Sequence, residues 1–387
     1  MSYAGDRIIY DADSHVVEPL GWLDDFIEPA IYDRAQAEFG SPPKSKVEHL
    51  WNKFTARQRD PEFRSRDEEE ILIRKGVEAP GAFLSEDRPA ALDLLGFKGQ
   101  LVLTSSALRL LARLDHEDDA ELAYGMARAH NRWMTNFCSV DSRLLPVSYI
   151  PFNNIEQAAT FTSETIEGGA AALMISSEVP THHSQSHIGF DKVWAQAEEA
   201  GIPVVFHVGG GTRMDETYKI NGLPPVKDFN GGDGNFTSIS FMAIPNAPMQ
   251  TLSALIFDGV LERFPRLKFG VIEQGASWLP GWMWSLDAAA DAFSKNEERI
   301  SRLSIKPSEY VQRQIRVAPY PHEPVGRIIE QSGPEVCLFS SDYPHAEGGR
   351  NPLKRFDDSL VGRSRSEIDR FYADNFLDLM GNSLVPA

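Results

Sequence analysis

The chain has 387 residues, of which 42% are hydrophobic and 24% charged. That much apolar material supports a large core and excludes a disordered chain, a collagen-like repeat and a disulfide-stapled mini-domain. Lys and Arg total 38 against 56 Asp and Glu, a formal charge of −18, which disfavours nucleic acid and anionic membrane as partners because like charges repel. The two cysteines, Cys138 and Cys337, lie far apart and match no CxxC zinc or redox spacing. A reduced, cytoplasmic compartment is therefore expected. Residues 1–7 carry no apolar run of the signal-peptide kind. No stretch approaches the roughly 18–20 apolar residues of a membrane helix.

Short apolar runs predict strands at 7–13, 100–104, 144–150, 171–175, 203–208, 267–272, 314–318 and 336–340. Most are apolar throughout rather than alternating, as in parallel strands buried on both faces. Helical periodicity predicts helices at 119–137, 155–167, 190–200, 248–263, 279–302, 324–331 and 366–380, the last with Gly381 as C-cap. Strand–helix alternation of this kind is the pattern of a distorted (β/α)8, or TIM, barrel. A doubly wound open sheet is the alternative, but the first predicted strand runs into Asp13, Ser14 and His15, not a glycine-rich nucleotide turn.

The whole chain, 1–387, reads as one barrel domain with insertions at about 39–86 and 209–247. The first contains a short amphipathic stretch at 47–54. The second contains Gly209, Gly210, Gly211 and a glycine-rich run at 230–235. Because it follows a strand end, it would lie over the barrel mouth as a lid, with a surface loop or subunit contact as the plain alternative.

In a (β/α)8 barrel, polar residues at the C-terminal ends of strands are the candidates for catalysis. The first strand leads to Asp13 and His15, the fifth ends in His207, the sixth in Glu273, and the eighth leads to Asp342 and His345. Residues i and i+2 of a strand share a face, so Asp13 and His15 can both point at the barrel axis and hold one divalent ion. His207 and Asp342 would add donors from across the rim. Imidazole with carboxylate suits zinc, manganese or iron(II). Taken singly, each residue has a plainer explanation: a packed histidine, or an aspartate capping the next helix.

The runs DADSHVVEP (11–19), PVVFHVGGG (203–211), EQGASWLP (273–280), FSSDYPHAEG (339–348) and DNFLDLMG (374–381) resemble the amidohydrolase-2 family. This branch of the metal-dependent hydrolases includes aminocarboxymuconate-semialdehyde decarboxylase-like and γ-resorcylate decarboxylase-like members. The resemblance implies a distorted TIM barrel with one metal at the mouth, zinc first and manganese or iron as alternatives. It places the ligands on Asp13, His15, His207 and Asp342, with Asp342 also acting as acid/base. The chain departs from the pattern at Asp13, where many members have His, and at Glu273, where characterised decarboxylases have a His near the substrate. The fourth strand ends in Met174, Ile175 and Ser176 with no Lys, which argues for one metal.

The expected activity is hydrolysis of a C–N, C–O or C–C bond in a small aromatic or carboxylate-bearing substrate. Asp342 would handle the proton, with His207 and His345 in the catalytic constellation. Non-oxidative decarboxylation of an aromatic or unsaturated acid is the alternative, weakened because Glu273 would repel an anionic substrate. A non-catalytic barrel used for binding is the third reading. Glu273, His182, His183 and His187 are the expected substrate contacts, although a loop role fits the three histidines as well. Glu18, Arg316 and Tyr320 are further polar candidates. Trp278, Trp282 and Trp284 suit helix packing or the contact of a homodimer, an assembly common in resembling proteins.

Overall fold

The computed structural model describes residues 2–38, 44–209, 214–224, 226 and 237–384. Gly210, Gly211 and the run 230–235 lie outside the described residues. Seven strands pair in chain order, each parallel to the next: β1 (Tyr10–Val16), β2 (Gly99–Thr104), β3 (Leu144–Tyr149), β4 (Ala172–Met174), β5 (Val204–His207), β6 (Phe269–Ile272) and β7 (Ile315–Val317). Every residue of β2 to β7 is buried, as the unbroken apolar runs require of a sheet covered on both faces. The strands curl into a distorted TIM barrel with helices outside it.

The first strand starts three residues later than expected, so Asp13 and His15 lie within it and pair next to β2. Its register slips between Asp11 and Ser14, a bulge of the kind that re-aims side chains beside functional sites. The eighth predicted strand is not regular among the described residues. Single parallel bridges join Val317 to Cys337 and Ser14 to Tyr343. Between them the ring is closed by Val317 N–H to Val336 O (2.7 Å), Ala12 N–H to Phe339 O (3.1 Å), Asp342 N–H to Asp13 O (2.8 Å) and His15 N–H to Tyr343 O (2.6 Å). The ladder is lost because other groups take its bonds. The Phe339 amide donates to Phe371 O at 2.9 Å. The Ser341 amide and hydroxyl donate to the buried Asp11 carboxylate at 2.8 and 2.6 Å.

The predicted 155–167 helix is present as Ile155–Glu167, capped by Asn154 Oδ1 accepting from the Gln157 amide at 3.0 Å. Gly381 is the expected C-cap. The predicted 248–263 helix is two, Asn246–Phe257 and Val260–Arg263, broken where Gly259 turns at φ 76°. The predicted 279–302 helix ends at Phe293 and resumes over Glu298–Ser301. The first insertion is helical, with Lys44–Gln58, Pro61–Arg64 and Asp67–Glu70, and Trp51 of its amphipathic stretch packs edge-on against Phe83. No helix of the described residues is long and apolar enough to cross a membrane.

One buried carboxylate outside the barrel mouth makes stability depend on pH. Asp115 caps the helix Ala107–Leu114 at its C-terminal end. It accepts from Tyr149 Oη at 2.5 Å and from the Phe152 amide at 2.8 Å. Burial pushes its carboxyl up to about 7, against these hydrogen bonds, which act in the other direction. Between about pH 4 and 7 the folded chain therefore holds a proton that the unfolded chain has released. Stability from this group falls as pH rises through that window, by at most about 1.4 kcal/mol per pH unit, and is level above it. Asp115→Asn removes this slope, so denaturant unfolding should show the variant gaining on the parent from pH 5 to pH 8. A stability difference that does not change with pH would mean that Asp115 stays charged in the fold.

Candidate metal centre

Asp13 and His15 on β1, His207 at the end of β5 and Glu273 directly after β6 meet at the barrel mouth. His15 Nε2 lies 3.1 Å from Asp13 Oδ1 and 3.5 Å from Asp342 Oδ1. His207 Nε2 lies 3.5 Å from Asp13 Oδ1 and 3.2 Å from Glu273 Oε2. His345 Nδ1 lies 3.1 Å from Asp342 Oδ1, and its ring stacks on that of His15 at 3.9 Å. Asp13, His15, His207 and Asp342 are all buried.

The outer nitrogens of the two strand histidines are already committed. His15 Nδ1 meets Thr104 O at 3.0 Å and His207 Nδ1 meets Val208 O at 2.7 Å. A carbonyl only accepts, so both rings carry a proton on Nδ1 and turn Nε2 inward, the arrangement typical of metal-bound histidines. Burial, with repulsion from His345, holds His15 below the usual histidine range and keeps its Nε2 free of a proton. Burial would raise Asp13, but contact with His15 and His207 outweighs it and holds its carboxyl well below the usual range. Burial, reinforced by Asp342, pushes Glu273 up to about 8.

Glu273 and Asp342 share a second feature. Among the described residues they are the non-glycine positions with left-handed backbone, at φ 51° and 53°. Each such residue costs about 1–3 kcal/mol and persists only where its surroundings enforce it. The Asp342 turn is held by Asp11 through Ser341. At Glu273 the carbonyl accepts from Tyr320 Oη at 2.7 Å. The loop beyond is pinned by the buried Glu323 carboxylate, which accepts from the amides of Ala276, Ser277 and Tyr320 at 2.7–3.1 Å.

A cavity of about 450 Å³ opens on the cluster. Its wall includes His15, His207, Glu273, His345, Lys75 and Arg109. Lys75 comes from the first insertion, and Gly209 at the cavity rim begins the second. Neither Lys75 nor Ser105, which contacts His345 at 2.7 Å, stands out in the sequence, because neither follows a strand motif. Asp11 was legible by the alternation that marks Asp13 and His15.

Other expected site residues are placed elsewhere. His182 pairs with Asp118 at 2.7 Å on the surface, His183 meets Phe152 O at 2.8 Å, and His187 Nδ1 accepts the Gly189 amide at 3.0 Å. None of the three lines the cavity; they secure the loop after β4. Glu18 touches the cavity, but its carboxylate is spent on Thr104, the amides of Ser105, Ser106 and Ala107, and the Ser106 hydroxyl. Arg316 pairs with Asp378 and backbone carbonyls of the 312–315 segment. Trp278 and Trp282 donate to Gly275 O and Ser253 Oγ, while Trp284 is exposed.

The donors fit a cation. Asp13 Oδ1, His15 Nε2, His207 Nε2 and both carboxylate oxygens of Asp342 are buried without a hydrogen-bond partner. Each such group costs about 1–3 kcal/mol if left so, and a divalent ion bound in the cluster would satisfy several of them together. Two four-donor sets have their ligand atoms within 4.8 Å of one another: Asp13, His15, His207 and Glu273, and His15, Glu273, Asp342 and His345. Of the expected set, Asp13, His15 and His207 fall in the first group and His15 and Asp342 in the second, and Glu273 is in both.

A barrel with a histidine–carboxylate cluster at its mouth defines the class, and the comparisons agree. The amidohydrolase family model matches residues 10–378, and the chain belongs to that amidohydrolase-2 family. No curated protein matches the sequence. An amidohydrolase from Mycobacterium avium subsp. paratuberculosis K-10 is similar in structure, with a TM-score of 0.70 at 20% identity over 97% of this chain and 100% of that one. So is a 5-carboxyvanillate decarboxylase variant from Novosphingobium aromaticivorans with bound manganese and 3-methoxy-4-hydroxy-5-nitrobenzoic acid (TM-score 0.64, 16% identity, 97% of each chain). A dihydroxybenzoic acid decarboxylase from Polaromonas sp. JS666, with manganese and 2-nitroresorcinol, gives a TM-score of 0.61 at 15% identity, again over 97% of each chain.

Proposed function

We propose that this protein is a metal-dependent carboxy-lyase that decarboxylates a small aromatic or unsaturated acid without oxidation. The observation that carries this reading is the Asp342–His345 pair beside a cavity with a lysine in its wall. The Ser105 hydroxyl donates to Val16 O at 2.9 Å, so its oxygen accepts from His345 Nε2 at 2.7 Å. His345 Nδ1 then presents a lone pair to Asp342 Oδ1 at 3.1 Å. Two acceptors make that contact only with a proton between them, and a proton stored there is what a carbon needs when carbon dioxide leaves.

Lys75 answers the objection that Glu273 would repel an anionic substrate. Its ammonium donates to Gly349 O at 2.6 Å, which leaves donors for a substrate carboxylate. Burial pulls it below the usual lysine range, while Asp342 and Glu347 act to keep it charged. A divalent ion held among Asp13, His15, His207 and Asp342 would supply positive charge to a substrate oxygen beside the reacting carbon. The bond from ring or alkene carbon to the carboxylate breaks, its electron pair stays on carbon, and the Asp342–His345 proton joins that carbon. Metal-dependent decarboxylases of aromatic acids among the similar structures support the choice.

Hydrolysis is the second reading, favoured by one observation: Glu273 is a carboxylate in the cavity wall, placed to take a proton from water. The two readings separate in labelled water with a panel of hydroxybenzoic and unsaturated acids and their amides and esters. Decarboxylation should release carbon dioxide, leave solvent deuterium on carbon and put no ¹⁸O into the product. Product carrying ¹⁸O, with no carbon dioxide, would replace this reading by hydrolysis. A protein that gains no stability from manganese or zinc and turns over nothing would be a binding barrel.

A further inference from the structure

We infer that Glu273 is itself a ligand of the divalent ion, so that the sixth strand supplies a metal-binding carboxylate and not only a contact for substrate. The inference rests on the metal reading above and extends it to a residue that neither the spacing of the strand motifs nor the family resemblance places among the ligands.

The first argument is combinatorial. The two four-donor sets share His15 and Glu273 and no other residue. His15 has a single inward nitrogen, since its Nδ1 is taken by Thr104 O. It can therefore hold one ion, not two, and the sets describe alternative positions for that ion. In either position the ion meets Glu273. Asp13 and His207 belong to one set, Asp342 and His345 to the other.

The second argument is the unsatisfied nitrogen opposite. His207 Nε2 is buried and has no hydrogen-bond partner, yet Glu273 Oε2 lies 3.2 Å away. A cation bound between the two would give that nitrogen a partner and engage the Glu273 carboxylate at the same time. The third argument is construction. Glu273 keeps a left-handed backbone at φ 51°, locked by Tyr320 Oη on its carbonyl and by the Glu323 carboxylate on the following amides. Gly275, at φ 67°, is tightly enclosed, since an added Cβ would sit 3.0 Å from the Tyr320 ring. A mobile substrate contact needs no such clamp; a metal ligand does, because coordination tolerates little displacement.

A chemical consequence follows. In either position two carboxylates, Glu273 with Asp13 or Glu273 with Asp342, neutralise a divalent ion, and their oxygens suit manganese better than a soft-ligand metal. The ion then attracts an anionic substrate weakly, and the anchoring of its carboxylate falls to Lys75.

The test is calorimetric titration of metal-stripped protein with manganese alone and zinc alone, with free manganese also followed by its paramagnetic resonance signal. The parent chain should bind one equivalent. Glu273→Gln, close in shape and uncharged, should keep the circular dichroism of the parent and lose at least ~100-fold in manganese affinity, the upper end of what even an outer-shell partner contributes. Glu273→Asp should fall between the two. If Glu273→Gln binds manganese as tightly as the parent, Glu273 is not a ligand, although the metal centre stands. If the parent chain binds neither metal, the metal reading fails and this inference with it.

Discussion

Asp342→Asn is expected to cut kcat by at least ~10³-fold while leaving the fold and its thermal midpoint close to those of the parent. The substitution is unusually clean at this position. Asn tolerates left-handed backbone as well as Asp does, so the turn at φ 53° is kept. The Asn amide can donate to His345 Nδ1, so the 3.1 Å contact survives without a carboxyl proton. What disappears is an exchangeable acid and one anionic donor. Loss of a general acid alone costs about 10²–10⁴ in rate, and both carboxylate oxygens of Asp342 are otherwise unpartnered in the buried cluster. Steady-state kinetics with metal in excess, alongside thermal unfolding, decide the matter. A variant within tenfold of the parent would remove Asp342 from the chemistry.

The second large effect is expected at a residue that touches nothing chemical. A Cβ added at Gly348 would lie 2.0 Å from Ser341 O and 3.0 Å from the Asp342 Cβ. The first contact is backbone and cannot swing aside, so the Asp342 turn must move. Overpacking of this kind costs about 1–3 kcal/mol. A shift of about 1 Å in a reacting group can cost about 100-fold in rate. Gly348→Ala should therefore lower both the unfolding midpoint and kcat. Gly362→Ala is the comparison: at φ 88° it pays a backbone penalty, but no atom lies within 4 Å of the added Cβ. It should lose stability and keep kcat. Equal kcat losses in the two variants would show that Gly348 acts only through global stability.

Strand order and the inward residues of β1 and β5 were legible because both are local. A strand buried on both faces must be apolar along its length, and Asp13, His15 and His207 interrupt that rule at the barrel mouth. The eighth strand misled because a run such as 336–340 carries the same apolar signal whether or not its amides reach a ladder. Here Asp11 and Phe371 take those bonds. The histidines at 182, 183 and 187 carried residue type without direction, and their partners, Asp118 and the Phe152 carbonyl, come from other loops.

By itself, the order of residues along this chain determined a parallel barrel whose first, fifth and eighth segments bring imidazole and carboxylate to one rim, since burial and two-residue alternation act over a few neighbours. Tertiary structure alone decided that Glu273 comes within 3.2 Å of His207 Nε2, that Lys75 reaches the same cavity from an insertion, and that Glu18 is consumed by helix amides. Those outcomes depend on ring closure and on a backbone twist at Glu273 that is held by Tyr320 and Glu323, some fifty positions further along. No window of sequence contains both the twisted residue and the groups that hold it.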